Sequence, residues 1–165
     1  MYIEDINVLI RPATVEDADL IGPLLRQSDV GELLAASGLS AVEAVRLSIE
    51  ASSDGFCMIA VNDDNTPILI WGVSKSPYPN VGIPWMVATP EIYNPQYLRT
   101  FKKLCGEWVE RMNKQFPLLI NYVDHRNVTS ILWLQALGFT FIELVPNYGH
   151  GKLPFWKFMR ASNNV

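Results

Sequence analysis

The sequence predicts one domain of the α/β (α+β) class, with a mixed central sheet, a βαβ core and flanking helices. Helical and strand patterns alternate along the whole chain. Between Ile83 and Leu137 the order strand, helix, strand, helix forms a βαβ unit, whose two strands lie parallel and are joined by a right-handed crossover. The remaining strands follow one another in hairpin order, so the sheet is expected to be mixed. A chain of 165 residues, 49 % of them hydrophobic, is long and apolar enough for one packed core.

Each element is predicted from its pattern of apolar residues and from the residues that bound it. Capping signals precede two helices, at Thr14-x-x-Asp17 and Ser40-x-x-Glu43, where hydroxyl and carboxylate groups can bind free backbone N–H groups. Pro23 is expected to kink or split the first helix, because it has no backbone N–H to donate. The predicted elements are strand 7–11, helix 15–27, helix 41–51, strands 56–61 and 68–73, strand 83–89, helix 95–114, strand 118–123, helix 128–137, and strands 139–145 and 155–159; residues 1–160 are predicted to form the domain and 161–165 a tail.

Charge and cysteine content restrict the function classes. A net charge of -4 gives no general attraction to nucleic acid or to anionic membranes, which excludes binding driven by phosphate neutralisation. Cys57 and Cys105 lie far apart among apolar residues, so we expect buried free thiols and a reducing compartment. No signal-peptide pattern opens the sequence, and no apolar run approaches the ~18 residues of a membrane span. The expected location is the cytoplasm.

Two segments resemble the GNAT (N-acetyltransferase-like) superfamily. Residues 10–18 (IRPATVEDA) are similar to its opening pattern I-R-x-A-x-x-x-D, at the first strand and helix. Residues 127–139, which begin with NVTSI and end with LGF, are similar to its N-x-x-A-I…L-G-F segment without a gap. The predicted order, β-α-α-β-β-β-α-β-α-β-β, is also that of the superfamily. The resemblance implies a GNAT fold over nearly the whole chain, and transfer of an acyl group from acetyl-CoA to an amine as the associated activity.

A second resemblance is to small GNAT-like proteins of short-tailed phages, of the internal virion protein A type. It is carried by residues 85–87 (WMV), 101–104 (FKKL), 121–123 (NYV), 127–130 (NVTS) and 137–138 (LG). This resemblance implies a phage-encoded protein in the host cytoplasm. It also implies a role in particle assembly, or in contact with a phage or host protein.

The loop after the fourth strand is where GNAT enzymes hold the pyrophosphate of acetyl-CoA, with a Q/R-x-x-G-x-G/A pattern whose backbone N–H groups bind the anion. The corresponding residues 89–99 contain no glycine. Pro90 and Pro95 remove two N–H donors, and Glu91 adds a negative charge near the expected phosphates. We therefore interpret this loop as a degenerate pyrophosphate site.

The rest of the acetyl-CoA site is inferred from the resemblance. Backbone groups of the strand near Met86 would pair with pantetheine, and Asn127 would fix the ligand or the start of its helix. Arg99, with Lys102 and Lys103, could supply positive charge, or these three could form the solvated face of an amphipathic helix. The residues expected to bind acetyl-CoA are Met86, Val87, Ala88, Arg99 and Asn127.

The family commonly places a tyrosine in the helix after the conserved asparagine, where it protonates the departing thiolate. Counted from Asn127, this position is Leu134, which has no proton to give. The neighbouring Trp133 carries only an indole N–H, and core packing is its expected role. Tyr122, Tyr93 and Tyr148 could each replace the acid, and Tyr122 is the candidate included in the predicted catalytic set.

A general base must remove a proton from the amine substrate, directly or through water. Asp124 and His125 follow the strand 118–123 at the end that faces the expected cleft, so both are candidate catalytic residues. The competing interpretation is a polar connection in which Asp124 or Asn127 caps the next helix. His150, between two glycines, could belong to a loop that selects the substrate.

Two functions remain open from the sequence. The first is an acyl-CoA-dependent N-acetyltransferase acting on a small-molecule or protein amine between strands 83–89 and 118–123. The second is a GNAT-fold protein without catalysis that acts through protein contacts. The exposed aromatic residues expected at 77–79 and 154–156 could anchor a partner, or could pack in turns and core. No spacing of His and Cys residues predicts a metal site.

Overall fold

The structure is a computed structural model and describes residues 1–163 of the chain. Its strands are β1 (Tyr2–Ile3), β2 (Val8–Pro12), β3 (Ser52–Asn62), β4 (Pro67–Lys75), β5 (Val81–Ala88), β6 (Leu118–Asp124), β7 (Thr140–Tyr148) and β8 (Leu153–Ala161). They form one eight-stranded sheet in the order β1-β2-β3-β4-β5-β6-β8-β7. The pair β5–β6 is parallel and the other neighbouring pairs are antiparallel. The predicted mixed sheet with its βαβ core is therefore confirmed.

Five helices accompany the strands within residues 1–163. They are α1 (Asp17–Ile21), α2 (Gln27–Ser37), α3 (Ala41–Ala51), α4 (Pro95–Gln115) and α5 (Val128–Ala136), with 3-10 turns at Glu4–Ile6, Gly22–Leu24 and Pro90–Tyr93. The split expected at Pro23 is confirmed, because α1 ends at Ile21 and a 3-10 turn contains the proline. Strand β1 and helix α2 were not predicted. None of these helices combines the length and apolar character that crossing a bilayer requires.

The sheet has an apolar core on each face. Along β4, Leu69 and Trp71 face the core that α4 covers, whereas Ile70 faces the core formed with α1 and α3. This alternation follows from the two-residue period of a strand. The sheet is thus a central layer between two helical layers, which is the arrangement predicted for flanking helices.

The capping signal predicted at Ser40 is confirmed in full, and the one predicted at Thr14 is confirmed only for its carboxylate, since the Thr14 hydroxyl does not cap α1. Ser40 and Glu43 form a complete capping box at the start of α3. At α1 the carboxylate of Asp17 accepts a hydrogen bond from the backbone N–H of Thr14 at 2.8 Å. Asp17 also receives two hydrogen bonds from the Arg11 guanidinium, at 2.7 and 2.8 Å, which tie the helix start to β2.

Strand β8 runs to Ala161, the first residue of the predicted tail, and the N–H of Ser162 donates to the carbonyl of Pro117 at 2.8 Å. The last two residues of that tail, 164 and 165, lie outside the described residues.

Strands β5 and β6 pair over only two positions, Val81 with Leu118 and Gly82 with Leu119, and then separate. A Cβ atom on Gly82 would lie 2.7 Å from the ring of Phe116, so glycine allows the close approach at this vertex. The opening that results between the two strands positions the candidate site.

Candidate active site

A cleft of about 230 Å³ occupies the opening between β5 and β6 and reaches both faces of the sheet. Asn121 spans the gap near the vertex, since its side-chain amide donates to the carbonyl of Pro84 at 2.7 Å. On the α4–α5 face the lining residues are Trp71, Cys105, Trp108, Val109, Met112, Ser130, Trp133, Leu134, Leu137, Phe139 and Phe158. On the α2–α3 face they are Glu32, Leu33, Ala36, Val45, Ser48, Trp85 and Val87, with Tyr122, Tyr148 and Phe155 from β6, β7 and β8.

Glu32 of α2 is the carboxyl group of this cleft. Its Oε1 accepts a hydrogen bond from the backbone N–H of Asp124 at 2.7 Å and lies 3.5 Å from the side-chain amide of Asn127. Burial raises the pKa of Glu32 to about 8, and the carboxylates of Asp29 and Asp124 act in the same direction. A group with this pKa can accept a proton near neutral pH, which is what a general base must do.

Two tyrosines stand close to this carboxyl group. The rings of Tyr122 and Tyr148 stack with centroids 4.4 Å apart and planes 23° apart. Burial raises the pKa of the Tyr148 hydroxyl, and the nearby Tyr122 and Glu32 raise it further. The cleft therefore holds phenolic O–H groups beside a carboxyl group, which are a proton donor and a proton acceptor in one site.

Two indole groups that line the cleft lack a partner. Nε1 of Trp71 and Nε1 of Trp133 are buried and have no hydrogen bond to any described residue. A buried N–H without an acceptor costs free energy, so such groups indicate a place where a ligand or water completes the bond. The acyl-pantetheine arm of acetyl-CoA, the ligand that the sequence resemblance implies, carries carbonyl oxygens that could accept such hydrogen bonds.

The ends of β5 and α5 are joined by a buried polar network from α2. The Arg26 guanidinium forms a two-point ion pair with Asp29, with both hydrogen bonds at 2.9 Å. The Asp29 carboxylate accepts hydrogen bonds from the N–H of Ala88 at 2.9 Å and from the Asn127 amide at 3.3 Å. The N–H of Arg26 donates to the carbonyl of Ala88 at 2.9 Å. Both backbone polar groups of Ala88 are thus occupied by the first turn of α2.

The segment between β5 and α4 folds into the 3-10 turn Pro90–Tyr93 instead of a glycine loop. The N–H groups of Ile92 and Asn94 donate to carbonyls within this segment. The N–H of Gln96 donates to the Asn94 side chain at 3.2 Å. The backbone N–H groups of Ile92, Asn94 and Gln96 are therefore bonded within residues 89–96.

The structure places the three predicted catalytic residues differently. Tyr122 lines the cleft. Asp124 lies beneath α5, where Arg126 donates to its carboxylate at 2.6 to 3.1 Å; burial alone would raise its pKa, but these hydrogen bonds outweigh burial and hold the pKa low. His125 lies on the surface, with Nδ1 3.1 Å from the carbonyl of Pro154, and it does not line the cleft. The backbone N–H of Asp124, through its bond to Glu32, is the part of this pair that touches the site.

The residues predicted to bind acetyl-CoA also separate into groups. Met86 and Val87 line the cleft. Ala88 borders it with its backbone groups bonded to α2, and Asn127 caps α5 by accepting a hydrogen bond from the N–H of Ser130 at 3.3 Å. Arg99 is exposed in a surface groove beside residues 1–5, away from the cleft lining.

Of the aromatic residues considered as partner anchors, one is exposed and two pack inside the protein. Tyr78 is 73 % exposed in the loop between β4 and β5. Phe155 is buried against the cleft and Trp156 packs against the core. His150 lies outside the cleft, with its ring next to Gly38 at the end of α2.

Sequence reasoning missed Glu32, the central group of the cleft, because it assigned no element to residues 28–40. One signal for α2 is present. Gly38 ends the helix in the left-handed conformation, with φ of 72°, and a glycine at this position is a common helix stop.

Comparison with known proteins identifies the fold. No family model and no curated protein matches the chain. Solved structures do match: Ard1 from Thermoplasma volcanium superposes with a TM-score of 0.71 and 14 % identity, over 94 % of this chain and 98 % of that chain. A GNAT superfamily phosphinothricin acetyltransferase from Sinorhizobium meliloti, solved with AcCoA, superposes with a TM-score of 0.70 and 20 % identity, over 96 % of this chain and 92 % of that chain. Spermidine N-acetyltransferase from Vibrio cholerae, solved with CoA and spermine, superposes with a TM-score of 0.66 and 10 % identity, over 94 % of this chain and 96 % of that chain.

These identities are low, and the agreement extends over nearly the full length of each chain. The protein therefore has the GNAT acetyltransferase fold, as the sequence segments implied.

Proposed function

We propose that the protein is an N-acyltransferase that moves a small acyl group from an acyl-CoA thioester to an amine in the cleft between β5 and β6. The observation that carries this proposal is the position of Glu32, a carboxyl group of raised pKa in the opening where the two strands separate. Fold alone does not define an activity, so the proposal depends on this group and its neighbours.

Glu32 accepts the proton that the substrate ammonium must lose before it can react. The amine nitrogen then attacks the carbonyl carbon of the thioester, a C–N bond forms and the C–S bond breaks. The hydrogen bond from the Asp124 N–H holds the carboxyl group in place, while burial keeps its proton affinity high enough for this transfer.

The departing sulfur takes a proton from a tyrosine, and this tyrosine regains a proton from the attacking nitrogen, which loses its second proton as the C–S bond breaks. Tyr122 and Tyr148 both line the cleft, and burial raises the pKa of Tyr148, so that its hydroxyl keeps its proton at neutral pH. Leu134 has no proton to donate, so the tyrosine pair takes over the role of the tyrosine that the family resemblance places there. The indole N–H groups of Trp71 and Trp133 are the donors available for carbonyl oxygens of the bound thioester.

Acetyl-CoA is the proposed donor, held through its acyl-pantetheine arm by the lining residues Met86 and Val87. The diphosphate end has a weaker site, because the turn Pro90–Tyr93 bonds its own amides. Arg99 lies in the groove beside residues 1–5 and does not line the cleft, so the proposal gives it no role in holding the diphosphate.

The proposal is tested by mixing the protein with acetyl-CoA and a panel of amines and measuring thiol release. Glu32→Gln should lower the rate by about 100-fold or more, which is typical for loss of a general base. The matched control is Glu50→Gln, since Glu50 is an exposed glutamate of α3. A loss in His125→Ala with normal activity in Glu32→Gln would assign the base to His125 and overturn the role of Glu32.

A second function is favoured by one observation, the bonding of both backbone groups of Ala88 to α2. If this closure is permanent, the protein is a GNAT-fold protein without catalysis that acts through protein contacts, in phage particle assembly or on a host protein. Calorimetry with acetyl-CoA separates the two functions. Binding supports the transferase, whereas a folded protein that takes up no acetyl-CoA and releases no thiol supports the contact role.

A further inference from the structure

The α2–α3 side of the cleft has an unusual balance of charge. Within residues 1–163, Glu32 is the only acidic side chain that lines the cleft, and no Lys, Arg or His side chain lines it. The nearest arginines are committed elsewhere, since Arg26 pairs with Asp29 and Arg126 pairs with Asp124. A ligand with one positive charge finds a partner here, but a carboxylate or phosphate on the ligand would be buried without one, which is costly.

Two further polar side chains that line the cleft already have partners in the protein. The Ser48 hydroxyl donates to the carbonyl of Ala44 at 2.9 Å. The Asn121 side chain donates to Pro84 and accepts from the N–H of Tyr122 at 2.8 Å. Among the described lining residues of the α2–α3 side, this leaves Glu32 and the hydroxyls of Tyr122 and Tyr148 to bind polar groups of a ligand.

Aromatic side chains form the rest of this wall. Tyr148 stacks on Tyr122 and lies 4.7 Å, centroid to centroid, from Phe155, and Trp85 completes the lining from β5. Flat aromatic surfaces hold apolar rings by packing, and they also attract a cationic group through their faces. The wall is thus suited to an apolar ring that carries an ammonium group.

The turn between β7 and β8 is held against α2. The N–H groups of His150 and Gly151 donate to the carbonyls of Ala36 and Ala35 at 3.1 and 2.8 Å, which fixes the β7–β8 turn on the end of α2. A cleft of about 230 Å³ lies below the usual size of drug-sized pockets, about 300–1,000 Å³. The additional ammonium groups of a long polyamine would find no second carboxyl group among the described lining residues.

We propose that the acceptor is a small monoamine with an apolar, aromatic body and no anionic group, whose ammonium pairs with Glu32 and whose ring packs against Tyr122, Tyr148 and Phe155. This inference rests on the proposed function and narrows it. The proposed acceptor differs from the compounds named for the matching structures, since spermidine carries several charged amines and phosphinothricin carries acidic groups.

The test is calorimetric titration of the purified full chain at pH 8.5, without donor, using four probes. They are 2-phenylethylamine, phenylalanine, which adds a carboxylate, 2-phenylethanol, which lacks the ammonium, and spermidine. We expect 2-phenylethylamine to bind at least about 10-fold more tightly than the other three, the size of effect that one charge-assisted hydrogen bond provides. Glu32→Gln should remove this preference and Glu50→Gln should keep it.

Equal or tighter binding of phenylalanine or spermidine by the wild-type protein would overturn the inference, and so would a folded protein that binds none of the amines. These outcomes need no variant to fold. The two proposals fail separately. Acyl transfer to spermidine but not to 2-phenylethylamine would support the transferase function and overturn the proposed acceptor. Selective binding of 2-phenylethylamine without acyl transfer from any donor would overturn the transferase function and support the proposed ligand class.

Discussion

The carboxylate of Asp29 accepts a hydrogen bond from the backbone N–H of Ala88 at 2.9 Å, although 59 positions separate the two residues. The backbone N–H of Ala88, the last residue of β5, therefore donates to a helix side chain at the point where β5 has separated from β6. Because Asp29 is also the ion-pair partner of Arg26, one carboxylate links α2 to the sheet and neutralises a buried guanidinium.

Replacement of Asp29 by alanine should destabilise the fold. It leaves the Arg26 charge buried without a partner, and breaking a buried pair in this way typically costs about 3–5 kcal/mol. The measurement is urea unfolding of the wild type and of Asp29→Ala. The control is Asp19→Ala, which breaks an exposed pair with Arg46 and should cost less than about 1 kcal/mol. Similar costs for the two variants would contradict the role of the buried network.

The rate of acyl transfer should rise with pH up to about 8 and then level off. Glu32 acts in its ionised form, and its pKa of about 8 means that it is mostly protonated below this pH. The charged groups that face it, Asp29 and Asp124, shift its pKa in the same upward direction. The measurement is kcat/KM between pH 6 and 9.5. A rate that does not change with pH over this range would contradict the role of Glu32 as the base.

Glu32→Gln should make the protein more resistant to heat at alkaline pH. The pKa of Glu32 is higher in the folded state than in the unfolded state, so its contribution to stability is complete below about pH 4.5 and is lost as the pH rises through 8. The neutral glutamine does not undergo this loss. We expect the difference in Tm between variant and wild type to increase from pH 5 to pH 9 by ~3 °C or more, with Glu50→Gln unchanged. A constant difference would argue against the raised pKa.

The two cysteines should resist alkylation in the folded protein. Both cysteines are free, as expected. Cys105 is buried, as expected, whereas Cys57 is only half-buried. Burial raises the pKa of Cys105 to about 12 and that of Cys57 to about 11, so at pH 7.5 the reactive thiolate is scarce. Iodoacetamide labelling followed by mass spectrometry should modify neither residue quickly, with Cys57 the first to react. The same reagent should label both cysteines in urea, and fast labelling of native Cys105 would contradict the buried thiol.

The strands and the long helix were predictable because their own residues carry the pattern. In α4 the apolar positions Phe101, Cys105, Trp108 and Met112 repeat at helical spacing and all of them are buried. The runs that became β4 and β6 contain dense apolar residues between turn signals. Burial on one face leaves a period in the sequence, and that period is what the prediction used.

Helix α2 does not carry such a pattern. Its attachments to the sheet include the polar side chains Asp29 and Glu32 beside the partly buried Val30 and Leu33, while Leu34 is 54 % exposed, so the helix has no clear apolar face. The partner of Glu32 is the N–H of Asp124, 92 positions later, and no local signal connects the two. For the same reason the sequence directed attention to Asp124 and His125, which are adjacent to the site, and not to the carboxyl group inside it.

The polar attachment of α2 has a consequence for hydrogen–deuterium exchange. An amide that donates to a neighbouring strand exchanges when the sheet opens, but the amide of Ala88 donates to a helix side chain that can leave while the strands stay paired. Deuterium uptake at Ala88 therefore reports the undocking of α2, and comparison with the amides of β4 separates this local opening from global unfolding. The same undocking would expose the end of β5 to an incoming thioester.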